Sequence, residues 1–144
     1  VEADQACGGN ALPWTDIEAF LHRTLDLAIA DHKAAQDLTG PVFFDRGVLD
    51  AAMALAHVTG NPAAADPAGE YRYNPSVFLA PPWPDIFTGD EARRHGMGEA
   101  VAEYARLEAA FPALGYSTHI LPKISVEDRI AFVLSALIMQ HKME

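Results

Sequence analysis

The chain has 144 residues, half of them hydrophobic, and a formal net charge of -10 at pH 7. This length and composition fit one compact domain with its own core, so we predict a single domain over residues 1–144 and exclude a disordered or fibrous chain. The negative charge repels a nucleic-acid backbone, and no apolar run reaches the roughly 18 residues that cross a bilayer, so neither a nucleic acid nor a membrane is an expected partner.

The N-terminal half is predicted to form a helix, a strand and a second helix. A capping-box motif begins at Thr15, and apolar residues then recur every three or four positions, which predicts an amphipathic helix over Asp16–Leu38. The apolar segment Val42–Phe44 predicts a short buried strand. A second helix is predicted over residues 48–60, where the final glycine can adopt the left-handed conformation that ends helices.

The C-terminal half is predicted to alternate strands with helices. Residues 61–75 are rich in proline, alanine and glycine and predict a loop with at most a turn of helix. A second strand is predicted in SVFLAPP, followed by a helical region over Asp90–Phe111 that is broken near its two glycines. A third strand is predicted in YSTHILP.

The last helix is predicted to begin at Ser125 and to turn an apolar face into the core. The residues predicted to point inward are Ile130, Val133, Leu134, Leu137 and Ile138. Strands separated by helices imply crossover connections, so the predicted fold class is α/β, with a parallel sheet sandwiched by helices.

The segment VFFDRG places an acid and a base, Asp45 and Arg46, after the first predicted strand. Ligands of α/β proteins bind beyond the carboxyl ends of parallel strands. An acid there can hold a magnesium ion or accept the proton of an attacking hydroxyl, and the adjacent arginine can pair with phosphate oxygens. The alternative is that Asp45 caps the following helix and Arg46 lies on the surface.

Three further arginines are candidates for binding an anionic ligand. Arg93 and Arg94 are adjacent on a predicted helix, where they could close over a polyphosphate, or else form a solvated face with nearby acids. Arg72 lies between two tyrosines, whose rings could stack on a base or sugar or pack against the sheet.

Several other chemistries lack the residues that they need. The histidines form no HxH or HExxH motif, and there is no GxSxG motif for a serine nucleophile. Cys7 is the single cysteine, so it has no CxxC partner and can form no disulfide framework. A reducing compartment is therefore expected, and we predict a cytoplasmic protein.

The order of the motifs resembles a known family. GGNALPW, GPVFFDRGVLDA, YRYNPSVFLAPPWPDIFTGDEARR and LGYSTHILPKISVEDRIAFVL together resemble the AAA-type predicted ATPases, bacterial ATP/GTP-binding proteins of the P-loop, nucleoside-kinase-like group. The resemblance implies a P-loop NTPase fold, Mg²⁺ with ATP or GTP as cofactor, and a small-molecule phosphate acceptor. By the same resemblance, Asp45 looks like the magnesium-associated or base residue and Arg46 like a phosphate or acceptor contact. Arg93 and Arg94 match the lid arginines.

Two features depart from the family pattern. Members carry a strand, a GxxxxGK[ST] loop and a helix before GGNALPW, and no such loop occurs in these residues. Without that strand the neighbouring strand edges would be unpaired, so we expect the chain to be the C-terminal portion of a P-loop domain, or its sheet to close across a homo-oligomer. The opening Val1 in place of Met favours the first of these. The family glutamate before the first lid arginine is replaced by Ala92, which is expected to change how the lid is anchored.

These inferences lead to one main hypothesis and two alternatives. The main hypothesis is that the parent protein is a P-loop ATPase or small-molecule kinase, to which this chain supplies Asp45, Arg46 and the lid arginines. The first alternative is a non-catalytic nucleotide-binding or regulatory module. The second is an inactive fragment.

Overall fold

The computed structural model describes residues 16–83 and 91–143, without the side chains of residues 91–95 and 141–143. It divides into two compact units, Val1–Tyr73 and Asn74–Glu144. Within the described residues, the first unit is helical and the second contains a sheet. The prediction of a single domain over residues 1–144 stays a prediction.

The first unit contains helix α1 (Ile17–Ala35), helix α2 (Val48–Thr59), a 3-10 turn (Pro62–Ala65) and the short helix α3 (Pro67–Glu70). Both predicted long helices are therefore confirmed, and the predicted loop contains two short helical turns. The buried side chains of this unit are Leu21, Leu25, Val48, Leu49, Ala51, Ala52, Leu55 and Ala68.

Local signals explain where these helices begin and end. The Asp16 carboxylate caps α1 by accepting the Ala19 N–H at 3.0 Å, whereas Thr15, the predicted start of the capping motif, lies outside the described residues. Helix α1 ends at Ala35, before the predicted Leu38. Helix α2 ends at Gly60, whose φ of 70° is the left-handed conformation expected there.

The predicted strand at Val42–Phe44 does not form. A strand needs a hydrogen-bonded neighbour, and in the described part of the chain the two strands pair with each other in the second unit. The side chains of Val42–Phe44 are between 37% and 67% exposed, so they are also not the buried apolar run that was expected. Asp45 thus follows an unpaired segment rather than the end of a strand.

The second unit contains strand β1 (Ser76–Leu79), helix α4 (Glu91–Ala113), strand β2 (Ser117–Ile120) and helix α5 (Val126–Met143). The two strands pair in parallel, with Ser76 opposite Ser117 and Leu79 opposite Ile120. The second and third predicted strands and their parallel pairing are confirmed, so the unit is a strand, helix, strand crossover of the α/β class.

Helix α4 is continuous, so the predicted break near Gly96 and Gly98 is wrong. A glycine inside a helix costs about 1 kcal/mol relative to alanine, and a helix of 23 residues with alanine- and glutamate-rich later turns tolerates two. Asp90, the predicted first residue, lies outside the described residues. Gly115 follows the helix with a φ of 89°, the left-handed conformation in which a glycine commonly ends a helix.

The start of α5 agrees with the prediction, but its apolar face does not. The Asp128 N–H donates to the Ser125 hydroxyl at 3.1 Å, which confirms the predicted cap. Ile130, Leu134 and Ile138, which were predicted to point inward, are 49% to 57% exposed, and the other two predicted core residues are half-buried. Two strands of four residues are too small to cover an apolar face that extends along 18 residues.

A tyrosine and an acid one turn apart on α4 give a test of that helix. Burial, then a hydrogen bond to Glu108 and the charge of Glu108, raise the pKa of Tyr104 above its ordinary value. A raised pKa favours the neutral phenol, so this stabilisation is fully present below about pH 10, the unfolded value, and is lost as pH rises through the folded pKa.

We therefore expect Glu108→Gln to lower the pKa of Tyr104 and to move the onset of tyrosinate absorbance to lower pH in an alkaline titration. Glu99→Gln on the same helix is the control and should leave the titration unchanged. A curve that is identical in the wild type and Glu108→Gln would contradict the Tyr104–Glu108 contact.

Candidate functional site

An open cavity of about 360 Å³ lies in the first unit between the end of α1 and the segment that leads into α2. Two of the predicted site residues, Asp45 and Arg46, line it, and Asp31 on α1 adds a second carboxylate. The apolar lining residues are Ala34, Ala35, Leu38, Val42, Phe43 and Phe44. The structure thus places Asp31 of α1 beside Asp45 and Arg46, which are adjacent in the sequence, around one open depression.

Arg46 has an unusual backbone conformation. Its φ of 66° lies in the left-handed region, and among the described residues it is the non-glycine residue with a positive φ. This conformation costs an L-residue roughly 1–2 kcal/mol, and such strain is concentrated at functional sites. The unfavourable conformation therefore falls on a residue that the sequence had already singled out.

The residues after Arg46 begin helix α2. Gly47 is its N-cap, and the Gly47 N–H donates to the Asp50 carboxylate at 3.0 Å. The next amide, on Val48, donates to the Tyr73 hydroxyl at 3.0 Å. The N-cap of α2 is therefore Gly47 rather than Asp45, whereas Arg46 is exposed, as the alternative predicted for that residue.

The tyrosines on either side of Arg72 pack against helix α1. The rings of Tyr71 and Tyr73 meet His32 edge to face, with centroid distances of 5.5 Å and 4.9 Å. The His32 Nε2 atom lies 2.8 Å from the Arg72 carbonyl oxygen, to which a protonated Nε2 donates. Both rings therefore pack inside the unit. The Arg72 side chain is exposed, and its predicted phosphate contact stays a prediction.

The lid arginines lie in the other unit. Arg93 and Arg94 belong to the first turn of α4, and their side chains lie outside the described residues. Their predicted closure over a polyphosphate stays a prediction.

The lining of the cavity carries two carboxylates and one guanidinium, those of Asp31, Asp45 and Arg46. Asp31 and Asp45 would repel phosphate oxygens, and Arg46 balances only one of the two carboxylates. Mg²⁺ is commonly held by one or two carboxylates together with substrate phosphates and water, and this pair of carboxylates fits that use. In the described residues no three His, Cys, Asp or Glu side chains cluster in a way that could hold a metal ion.

Sequence reasoning missed three residues around this site. Asp31 lies on the exposed side of α1, and only tertiary packing places it at the cavity. Tyr73 was considered for base stacking, and its bond to an amide 25 positions earlier has no local signal. Gly47 could have been found, because a glycine just before a predicted helix is a recognised N-cap.

A family model described as an AAA domain matches residues 1–129. The chain belongs to this family. Membership makes it a nucleotide-binding protein of the P-loop type, and the helices with a parallel two-stranded sheet agree with that α/β class. The narrower kinase-like group stays a prediction.

Two other findings complete the comparison. No curated protein and no solved structure matches the chain. Among the described residues, no helix combines the length and the apolar character needed to span a membrane.

Proposed function

We propose that this AAA-domain protein binds a magnesium nucleotide, ATP or GTP, and acts as an ATPase or small-molecule kinase, with the phosphate end of the reaction at the Asp45–Arg46 cavity. One observation carries the proposal: Arg46 occupies a strained left-handed conformation in a cavity that it shares with two carboxylates. Family membership supports nucleotide binding, and the cavity supports the Asp45–Arg46 turn as the location of the phosphates.

Each cavity residue has a role that its chemistry allows. The Arg46 guanidinium would pair with phosphate oxygens and neutralise charge on the transferred group. Asp45 would accept the proton of an attacking hydroxyl or hold a magnesium-bound water, and Asp31 would supply the second acidic group. A bound magnesium ion would offset the phosphate charge that these carboxylates oppose. Arg72, which belongs to the same unit as the cavity, would add a further cation.

Calorimetry on the full-length chain tests this proposal, with ATP and GTP titrated in the presence of Mg²⁺ and again with excess chelator. We expect binding that depends on magnesium, and we expect Asp45→Asn to weaken it roughly 10- to 100-fold, since one charged ligand or hydrogen bond to the complex is worth about 1.5–3 kcal/mol. Asp37→Asn is the control, because Asp37 is an exposed acid of the same unit outside the cavity lining. Equal affinities in the wild type and Asp45→Asn would remove Asp45 from the site.

A non-catalytic binding module is the second candidate, and the exposure of Asp45 favours it. Catalytic sites usually exclude water from the reacting groups, whereas Asp45 and Arg46 are both exposed. Phosphate release under saturating nucleotide separates the two candidates. Turnover that Asp45→Asn abolishes supports the enzyme, and tight binding without turnover supports the module.

A further inference from the structure

We propose that Tyr73 is the positioning residue of the Asp45–Arg46 turn, holding it in the conformation that receives the nucleotide phosphates. This inference rests on the proposed function, because it concerns how the same cavity is shaped. It adds a residue that touches the turn on both sides and that does not line the cavity itself.

Tyr73 contacts the chain before and after the two predicted site residues. Its ring meets Phe44 edge to face at 5.1 Å, just before Asp45. Its hydroxyl accepts the Val48 N–H at 3.0 Å, just after the turn. One side chain therefore fixes both ends of the segment that carries Asp45 and Arg46.

The packing on Gly47 shows how close this contact is. A Cβ atom added at Gly47 would lie 2.9 Å from the Tyr73 hydroxyl oxygen and 3.0 Å from the ring carbon that bears it. Real Cβ contacts are essentially never under 3.0 Å, so any larger residue at position 47 would push the ring or the turn aside. The absence of a side chain at Gly47 therefore allows the Tyr73 hydroxyl to approach the turn this closely.

His32 holds the tyrosine in turn. Its ring packs on Tyr73 at 4.9 Å, and its Nε2 atom bonds the Arg72 carbonyl, which ties the backbone beside Tyr73 to helix α1. His32 follows Asp31, the second carboxylate of the cavity. The same contacts therefore hold both walls of the cavity, the turn and the end of α1.

Holding the turn matters because Arg46 is strained there. A residue with a positive φ relaxes to a commoner conformation unless its surroundings prevent it. Tyr73 supplies two such restraints, one at Phe44 and one at Val48. Loss of its hydroxyl should free the helix start, let Arg46 leave the left-handed region and move its guanidinium away from the phosphates.

A double-mutant cycle on the full-length chain tests this inference, with the Kd for magnesium nucleotide measured by calorimetry. We expect Tyr73→Phe to raise Kd about five- to tenfold and, in an Arg46→Ala background, by a smaller factor, because the part of its effect that acts through Arg46 is lost once Arg46 is gone. Tyr116→Phe, a packed tyrosine of the second unit, is the matched control and should leave Kd unchanged.

The outcomes separate this inference from the proposed function. If the wild type binds no magnesium nucleotide, the proposed function fails and this inference fails with it. If the wild type binds and Tyr73→Phe either has no effect or adds its full effect to Arg46→Ala, the positioning role is overturned while the function stands.

Thermal unfolding of each variant verifies that it is folded, and Gly47→Ala supplies a second perturbation of the same contact. It should also raise Kd, and by less when combined with Tyr73→Phe, which removes the nearest clashing atom.

Discussion

Leu55→Ala should destabilise the first unit by about 3 kcal/mol. Leu55 is 1% exposed and is one of the two largest fully buried side chains among the described residues. It lies on α2, which packs against α1 and against the short helical turns that follow it, so its truncation leaves a cavity in this core. Denaturant unfolding followed by circular dichroism measures the loss as a lower transition midpoint.

Val58→Ala on the same helix is the matched control. Val58 is 44% exposed, so the substitution should change the free energy of unfolding by no more than about 0.5 kcal/mol. Leu55→Ala should also weaken nucleotide binding, because the Asp45–Arg46 turn leads directly into α2 through its N-cap, Gly47. Equal losses of stability in the two variants would mean that α2 does not pack on α1 as described.

Local patterns predicted the helices well because their signals are local. Periodic apolar residues mark α1. Gly60 marks a helix end through its left-handed backbone conformation, and Ser125 marks a helix start through its hydroxyl, which accepts the Asp128 N–H. The strand predictions depended on partners that a local pattern does not contain. The segments SVFL and STHI pair with each other as parallel strands. Val42–Phe44 has the composition of a strand, but no strand lies beside it among the described residues.

The last helix shows the same limit. An apolar stripe predicts that something covers it, and core packing was the natural interpretation. The two short strands of the second unit cover only part of α5, so the row Ile130, Leu134 and Ile138 stays exposed. The period of the sequence locates an apolar face on the helix, but it does not show what covers that face.

The sequence likewise predicts some residues of the candidate site and not others. Asp45 and Arg46 could be chosen from a short motif because an acid and a base follow an apolar run directly. The residues that shape the site come from elsewhere, Asp31 from the end of α1 and Tyr73 from the loop after α3. No spacing rule connects positions 31, 46 and 73, because only tertiary packing brings them together.

Arg46→Ala and Arg46→Gly should weaken nucleotide binding equally and differ in stability. Both remove the guanidinium, so each should raise Kd roughly 10- to 100-fold, the value of a charged hydrogen bond to phosphate. Alanine retains the cost of a positive φ and glycine does not, so Arg46→Gly should be about 1 kcal/mol more stable than Arg46→Ala. Calorimetry measures the first effect and denaturant unfolding the second.

Gly40→Ala measures how much stability an alanine with a positive φ costs in this protein. Gly40 has a φ of 79°, nothing lies within 4 Å of a Cβ built on it, and it does not line the cavity, so the substitution introduces backbone strain alone. It should cost about 1 kcal/mol of stability and leave Kd unchanged. Equal stability of the two Arg46 variants would show that position 46 does not hold its left-handed conformation in solution. Binding by Arg46→Ala at wild-type affinity would remove Arg46 from the phosphate site, and with it the reason that the strain is maintained.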